Sequence, residues 1–199
     1  MPLDTFQFAR AEAEAWKLAQ LGPNPMESNV SVEQAPNEAE TVIRPRCQVD
    51  ASWTYNSSFF GGGLVIEAEE NVTFKGALTS AQVASPLQAE FRSLIWAMKM
   101  TRRLGLNSMC FESNCLELVR LIEKDEDWPS LALELEEFYA TFSSFHLCSL
   151  VYIPRVLNVR AVRADALAKE ARARDCFSSH VNLISPSELA ITANSNGIV

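Results

Sequence analysis

The stretch RCQVDASW, residues 46–53, alternates strictly, with Cys47, Val49, Ala51 and Trp53 on one side and Gln48, Asp50 and Ser52 on the other. That period of two predicts a β-strand. Asp50 stands in its middle, where an aspartate is poorly suited. Working outward, a turn at YNSS (55–58) leads to FFGGGLVIEA (59–68), a second strand entered through three glycines. NVTFKGALT (71–79) reads as a third strand, hairpin-paired with the second.

A well-marked helix follows. Ser85 suits the cap, Pro86 the first helical position and Gly105 the stop. Leu87, Phe91, Leu94 and Met98 recur at helical spacing, with Ile95 beside them. SMCFES (108–113) predicts a fourth strand and NCLELVRLIEK (114–124) a short helix. A further helix from Pro129 packs Leu131, Leu135, Phe138 and Phe142, HLCSLVYI (146–153) predicts a fifth strand, and VRADALAKEARAR (162–174) a last helix. The order β-β-β-α-β-α-α-β-α predicts an α/β domain: a five-stranded mixed sheet, its first three strands antiparallel, flanked by helices.

The flanks read differently. Residues 1–21 suggest an Ala- and Glu-rich helix, 22–43 a flexible Pro, Asn and Glu-rich linker, 44–176 the domain, and 177–199 a polar, flexible tail. The chain has 199 residues and a formal net charge of −8. The acid is concentrated at the N-terminus, where residues 1–43 carry seven acidic residues against two basic ones. This balance argues against a strongly basic nucleic-acid binder, yet the near-neutral middle leaves phosphate contacts open. The five scattered cysteines lack zinc spacing and read as reduced core thiols. With no apolar run of membrane length and no signal pattern, the chain is expected to be a monomer inside the cell, in nucleus or cytoplasm.

Three carboxylates lie in or beside apolar segments, where a charge needs a partner: Asp50, Glu90 and Asp165. Each alone reads as an edge residue paired to an arginine. Together, on the first strand, the first helix of the domain and the last helix, they suggest convergence on a metal.

The segments CQVDASW, SPLQAEFRSLIWAM, FESNCLELV, WPSLALELEEF and RADALAKEAR, taken in this order, resemble the plant ribonuclease H-like domains of type 1, reverse-transcriptase-like and related to retrotransposon enzymes. The resemblance implies the ribonuclease H fold and a two-metal nuclease that hydrolyses the RNA strand of RNA/DNA hybrids endonucleolytically. It implies metal ligands at Asp50, Glu90, Asn114 and Asp165, with Asp50, Glu90 and Asp165 as the catalytic carboxylates. Two Mg²⁺ ions, or Mn²⁺, would activate a water and stabilise the leaving oxygen. Contacts to the 2′-hydroxyl would select RNA.

The chain departs from the pattern in two places. The family's third carboxylate is Asn114, which keeps the shape without the charge. Asn is also a good helix N-cap, with Glu117 placed as its capping-box partner. Before Asp165, VRAVRAD repeats its own VRA, adding nearly a helical turn at the helix entry. Glu112 faces the same side as Asn114 but about 7 Å further back. Arg155, Arg160 and Arg163 stand near the implied metal site, as phosphate contacts or as an ordinary solvated face. Two functions stay open: a metal-dependent hybrid ribonuclease, or a catalytically impaired, domesticated retroelement domain that binds RNA, RNA/DNA hybrids or a protein.

Overall fold

The computed structural model describes residues 44–68, 73–124, 128–154 and 161–184, with the backbone alone at 161 and 162. The expected N-terminal helix and linker, Arg155, Arg160, much of the repeated VRA and the tail from residue 185 lie outside these residues.

Six strands form one sheet: β1 (Arg46–Ser52), β2 (Phe59–Glu67), β3 (Thr73–Ala81), β4 (Ser108–Ser113), β5 (Leu147–Tyr152) and β6 (Ser178–Ile184), in the order β5-β4-β1-β2-β3-β6. β1, β2, β3 and β6 pair antiparallel, whereas β5, β4 and β1 run parallel. The helices among the described residues are α1 (Pro86–Arg103), α2 (Leu116–Lys124), α3 (Ala132–Phe142, entered by a 3₁₀ turn at Pro129–Leu131) and α4 (Ala161–Ala173). None of them is long and apolar enough to cross a membrane.

The strand count corrects the five-strand expectation. Residues 178–184, read from the sequence as part of a flexible tail, pair with β3 along its length, from Thr73 opposite Ile184 to Thr79 opposite Ser178. Trp96 of α1 donates its indole N–H to Ser179 Oγ at 2.9 Å, tying the added strand to the core helix. The segment is an edge strand that buries no residue fully, so its polar composition hid it.

α1 forms as its capping residues dictate. Ser85 Oγ accepts from the Gln88 amide at 3.2 Å, and Gln88 Oε1 accepts from the Ala84 amide at 3.0 Å, so two otherwise orphaned donors are satisfied. Gly105 takes the left-handed conformation beyond its end (φ +80). The buried face of α1, with Leu87, Phe91, Leu94, Ile95 and Met98, packs on Cys47, Val49, Leu64, Ile66, Met109 and Phe111 of the sheet, together with Leu131 and Phe138.

The glycine run lies inside β2 and serves both faces of the sheet. A Cβ on Gly61 would stand 2.0 Å from Ala168 O, and one on Gly63 would stand 2.1 Å from Ala164 O. Gly62 faces the other way, towards Ser93 of α1. α4 thus lies directly on the strand backbone through Ala164, Ala168 and Ala171, all fully buried. Thr79 Oγ1 donates to Ala171 O at 2.7 Å, while Arg172 donates to Ser52 Oγ and Thr54 Oγ1 at 2.9 and 2.7 Å.

Candidate functional site

The chain runs β1-β2-β3 to one side and then returns to place β4 on the other side of β1. The parallel pair β1–β4 is therefore a topological switch point, and ligands of open α/β sheets gather outside the carboxyl ends of such strands. Val49 lies opposite Ser113, so the next step sets Asp50 beside Asn114. There Asn114 Nδ2 donates to Asp50 Oδ2 at 3.0 Å, and the Ala51 amide donates to Asp50 Oδ1 at 2.9 Å. Asp50 is fully buried and Asn114 half-buried.

Glu90 and Asp165 approach from other elements. Glu90, in the second turn of α1, is half-buried and close enough to Cys115, the residue after Asn114, to act on its thiol. Burial first, then the Glu90 carboxylate, push that thiol well above its ordinary value, while the amides of Leu118 and Glu117 work the other way. Asp165 follows Ala164 on α4, and Ala164 abuts Gly63, the cross-strand partner of Asp50. Its Oδ2 accepts from Lys169 Nζ at 2.7 Å, one helical turn on. Arg163 is exposed at the start of the same helix.

Capping alone does not account for Asn114. The helix that follows starts at Leu116, and Ser113 Oγ accepts from the Cys115 amide at 3.1 Å. The Asn114 side chain turns its donor across the sheet to Asp50. Glu112 is committed elsewhere: its carboxylate accepts from Gln48 Nε2 at 2.8 Å and from Arg46 at 3.1 Å, and it is buried.

The group the resemblance implies is a pair of hard divalent cations, which take several oxygen ligands. Asp50, Glu90 and Asp165 supply oxygens of that kind, but the surrounding donors compete. The Asn114 amide faces Asp50, and the Lys169 ammonium faces Asp165. Among the described residues, no three His, Cys, Asp or Glu side chains come together closely enough to hold an ion. In this arrangement the residues do not fit a two-ion centre.

The fold is that of a ribonuclease H-like protein. The chain belongs to the reverse transcriptase-like family, whose sequence model matches residues 48–171. Among solved structures it is similar to RNase H1 from the archaeon Halobacterium salinarum, with a TM-score of 0.59 and 24% identity over 67% of this chain and 99% of that one. It is also similar to the N-terminal RNase H domain of Rv2228c from Mycobacterium tuberculosis, with a TM-score of 0.57 and 21% identity over 66% of this chain and 95% of the other. LC11 RNase H1, solved in complex with an RNA/DNA hybrid, matches with a TM-score of 0.57 and 21% identity over 66% of this chain and 98% of its own. These likenesses establish the fold. No curated protein matches the chain.

Proposed function

We propose that this chain is a nucleic-acid-binding ribonuclease H-like protein that engages RNA/DNA hybrids, or RNA, outside the carboxyl ends of β1 and β4, with hydrolysis of the RNA strand impaired. The observation that carries this reading is the 3.0 Å hydrogen bond from Asn114 to Asp50. It sets a neutral donor where the family resemblance implies a charged metal ligand, and a two-metal centre is sensitive to each ligand's charge. Arg155, Arg160 and Arg163 are the phosphate contacts of this reading, and descent from a plant retroelement enzyme is its proposed origin.

A second reading, metal-dependent endonucleolytic hydrolysis of the RNA strand, is favoured by Asp50 itself. A fully buried carboxylate at a switch point is unfavourable unless something uses or compensates it. In that reading Asp50, Glu90 and Asp165 would be the catalytic carboxylates and, with their side chains rearranged, would hold Mg²⁺ or Mn²⁺, which would supply Lewis acidity.

One experiment separates the two. Binding and cleavage of an end-labelled RNA/DNA hybrid are measured with Mg²⁺ and with Mn²⁺ for the wild type, Asn114→Asp and Asp50→Asn. The proposal expects the wild type to bind with an affinity that falls as salt rises, without cleaving, and Asn114→Asp to gain cleavage. Wild-type cleavage lost in Asp50→Asn establishes the second reading. A wild type that binds neither hybrid nor RNA overturns both.

A further inference from the structure

A carboxylate sealed inside a sheet is unfavourable unless donors surround it. Asp50 has such donors: the backbone amide of Ala51 on one oxygen and the side-chain amide of Asn114 on the other, at 2.9 and 3.0 Å. An aspartate at position 114 would bring a second negative oxygen to within hydrogen-bonding distance of the first. Two carboxylates that close repel, and unless they share a proton the pair calls for a cation between them. An amide presents its partial positive charge to the carboxylate from within the chain. A similar relation recurs at Asp165, whose oxygen lies 2.7 Å from the Lys169 ammonium.

We infer that the Asn114 amide takes the place of a divalent cation at Asp50, so that this end of the sheet is assembled and stable without divalent metal. The inference deepens the proposed reading of the same site and rests on its assignment of Asn114. It makes Asn114 a positioning residue: it fixes the Asp50 carboxylate and relieves its charge. It accounts for how a buried carboxylate persists at a place where the donor set does not fit a two-ion centre. It also implies that hybrid binding proceeds in the presence of a chelator.

The test needs no nucleic acid, so its failure and that of the proposed function are distinguishable. Thermal unfolding of the full chain is followed by circular dichroism in EDTA and in rising Mg²⁺ at matched ionic strength. Three proteins are compared: the wild type, Asn114→Asp, and the swapped pair Asp50→Asn with Asn114→Asp. The wild type and the swap are expected to melt at the same temperature with and without Mg²⁺. Asn114→Asp is expected to melt several degrees lower in EDTA and to recover as Mg²⁺ is added. A wild type stabilised by Mg²⁺ as much as Asn114→Asp overturns the inference, as does an Asn114→Asp protein indifferent to Mg²⁺. If Asn114→Asp fails to fold under either condition, the swap decides. A folded swap that ignores Mg²⁺ upholds the inference, and one that requires Mg²⁺ overturns it.

Discussion

Glu112 meets Gln48 across the β1–β4 pair at 2.8 Å, one same-face step behind Asp50 and Asn114. The two pairs stand in register, carboxylate against amide in both, but with the carboxylate on opposite strands. The inner pair also holds Arg46, whose guanidinium reaches Glu112 at 3.1 Å while remaining largely exposed. The inner acid is therefore a structural clamp between two parallel strands, and the outer one is the acid presented at their ends.

Glu112→Ala removes two hydrogen-bond acceptors and takes from the buried Gln48 amide its partner across the strands. The expected cost is about 1–3 kcal/mol, seen as a lower urea midpoint with an unchanged m value. Hybrid affinity, corrected for the fraction folded, is expected to stay the same. A Glu112→Gln protein of wild-type stability that no longer engages hybrid would show instead that Glu112 serves the site.

Gly63 of β2 and Gly105 beyond α1 make a second, sharper contrast. At Gly63 an added methyl meets the Ala164 carbonyl oxygen at 2.1 Å and the Ala168 amide nitrogen at 2.9 Å, both backbone atoms that cannot turn aside. Gly63→Ala must lift α4 off the sheet, at a cost of about 3 kcal/mol, the upper part of the usual overpacking range. At Gly105 nothing lies within 4 Å, and only the positive φ of +80 opposes a side chain. Gly105→Ala is expected to cost about 1–2 kcal/mol. Denaturant melts of the two variants check the order, and equal losses would mean that α4 does not rest on the strand as described.

How much of this was legible in the sequence depends on which interaction set each element. The helix α1 declared itself through Ser85, Pro86 and its apolar stripe, because caps and periodicity are local. β1 did so through alternation, and the sheet's antiparallel half through its turns. The edge strand β6 escaped, since Val181 and Leu183 alternate too weakly with polar neighbours, and its partner lies about a hundred residues back. The glycine run was read as the entrance to a strand. Its role, giving α4 room at Gly61 and Gly63 and α1 room at Gly62, needs both helices to be seen against the strand. The site was legible in kind, through acids set among apolar residues, but not in arrangement. That Asn114 turns its donor to Asp50, and that Asp165 faces Lys169, are facts of side-chain direction that residue spacing does not contain.

The buried thiols make stability depend on alkaline pH. Cys148 is pushed up to about 12 from the ordinary 9.0, chiefly by burial and then by the neighbouring Cys110, against the pull of Arg44. Cys47 and Cys115 are raised further, again mainly by burial. A folded value above the unfolded one means that the folded chain holds its proton longer. The stabilisation is complete below the unfolded value of 9.0 and is lost as pH climbs towards the folded value of about 12. Denaturant midpoints are expected to be flat with respect to these thiols up to about pH 8 and to fall above pH 9. Alkylation at pH 8 is expected to reach the exposed Cys176 before the buried Cys47. Equal alkylation of Cys47 and Cys176 in the folded protein would contradict this burial.

The correction at the C-terminal end carries its own test. A chain cut after Cys176 loses β6, and with it the ladder along β3 and the bond from Trp96 to Ser179. β3 then becomes an uncovered edge that itself carries Phe74 and Leu78, a template for pairing with another chain. The indole of Trp96, buried in the full chain, gains solvent on the side that Ser179 had covered. The truncated protein is expected to melt several degrees lower, to show red-shifted tryptophan emission and to self-associate as concentration rises. Trp96→Phe in the full chain separates the two contributions, because it deletes one hydrogen bond worth about 1 kcal/mol and leaves the strand in place. A truncated chain as stable and monomeric as the full one would return residues 177–184 to the status of a tail, and would confine the domain to residues 44–176.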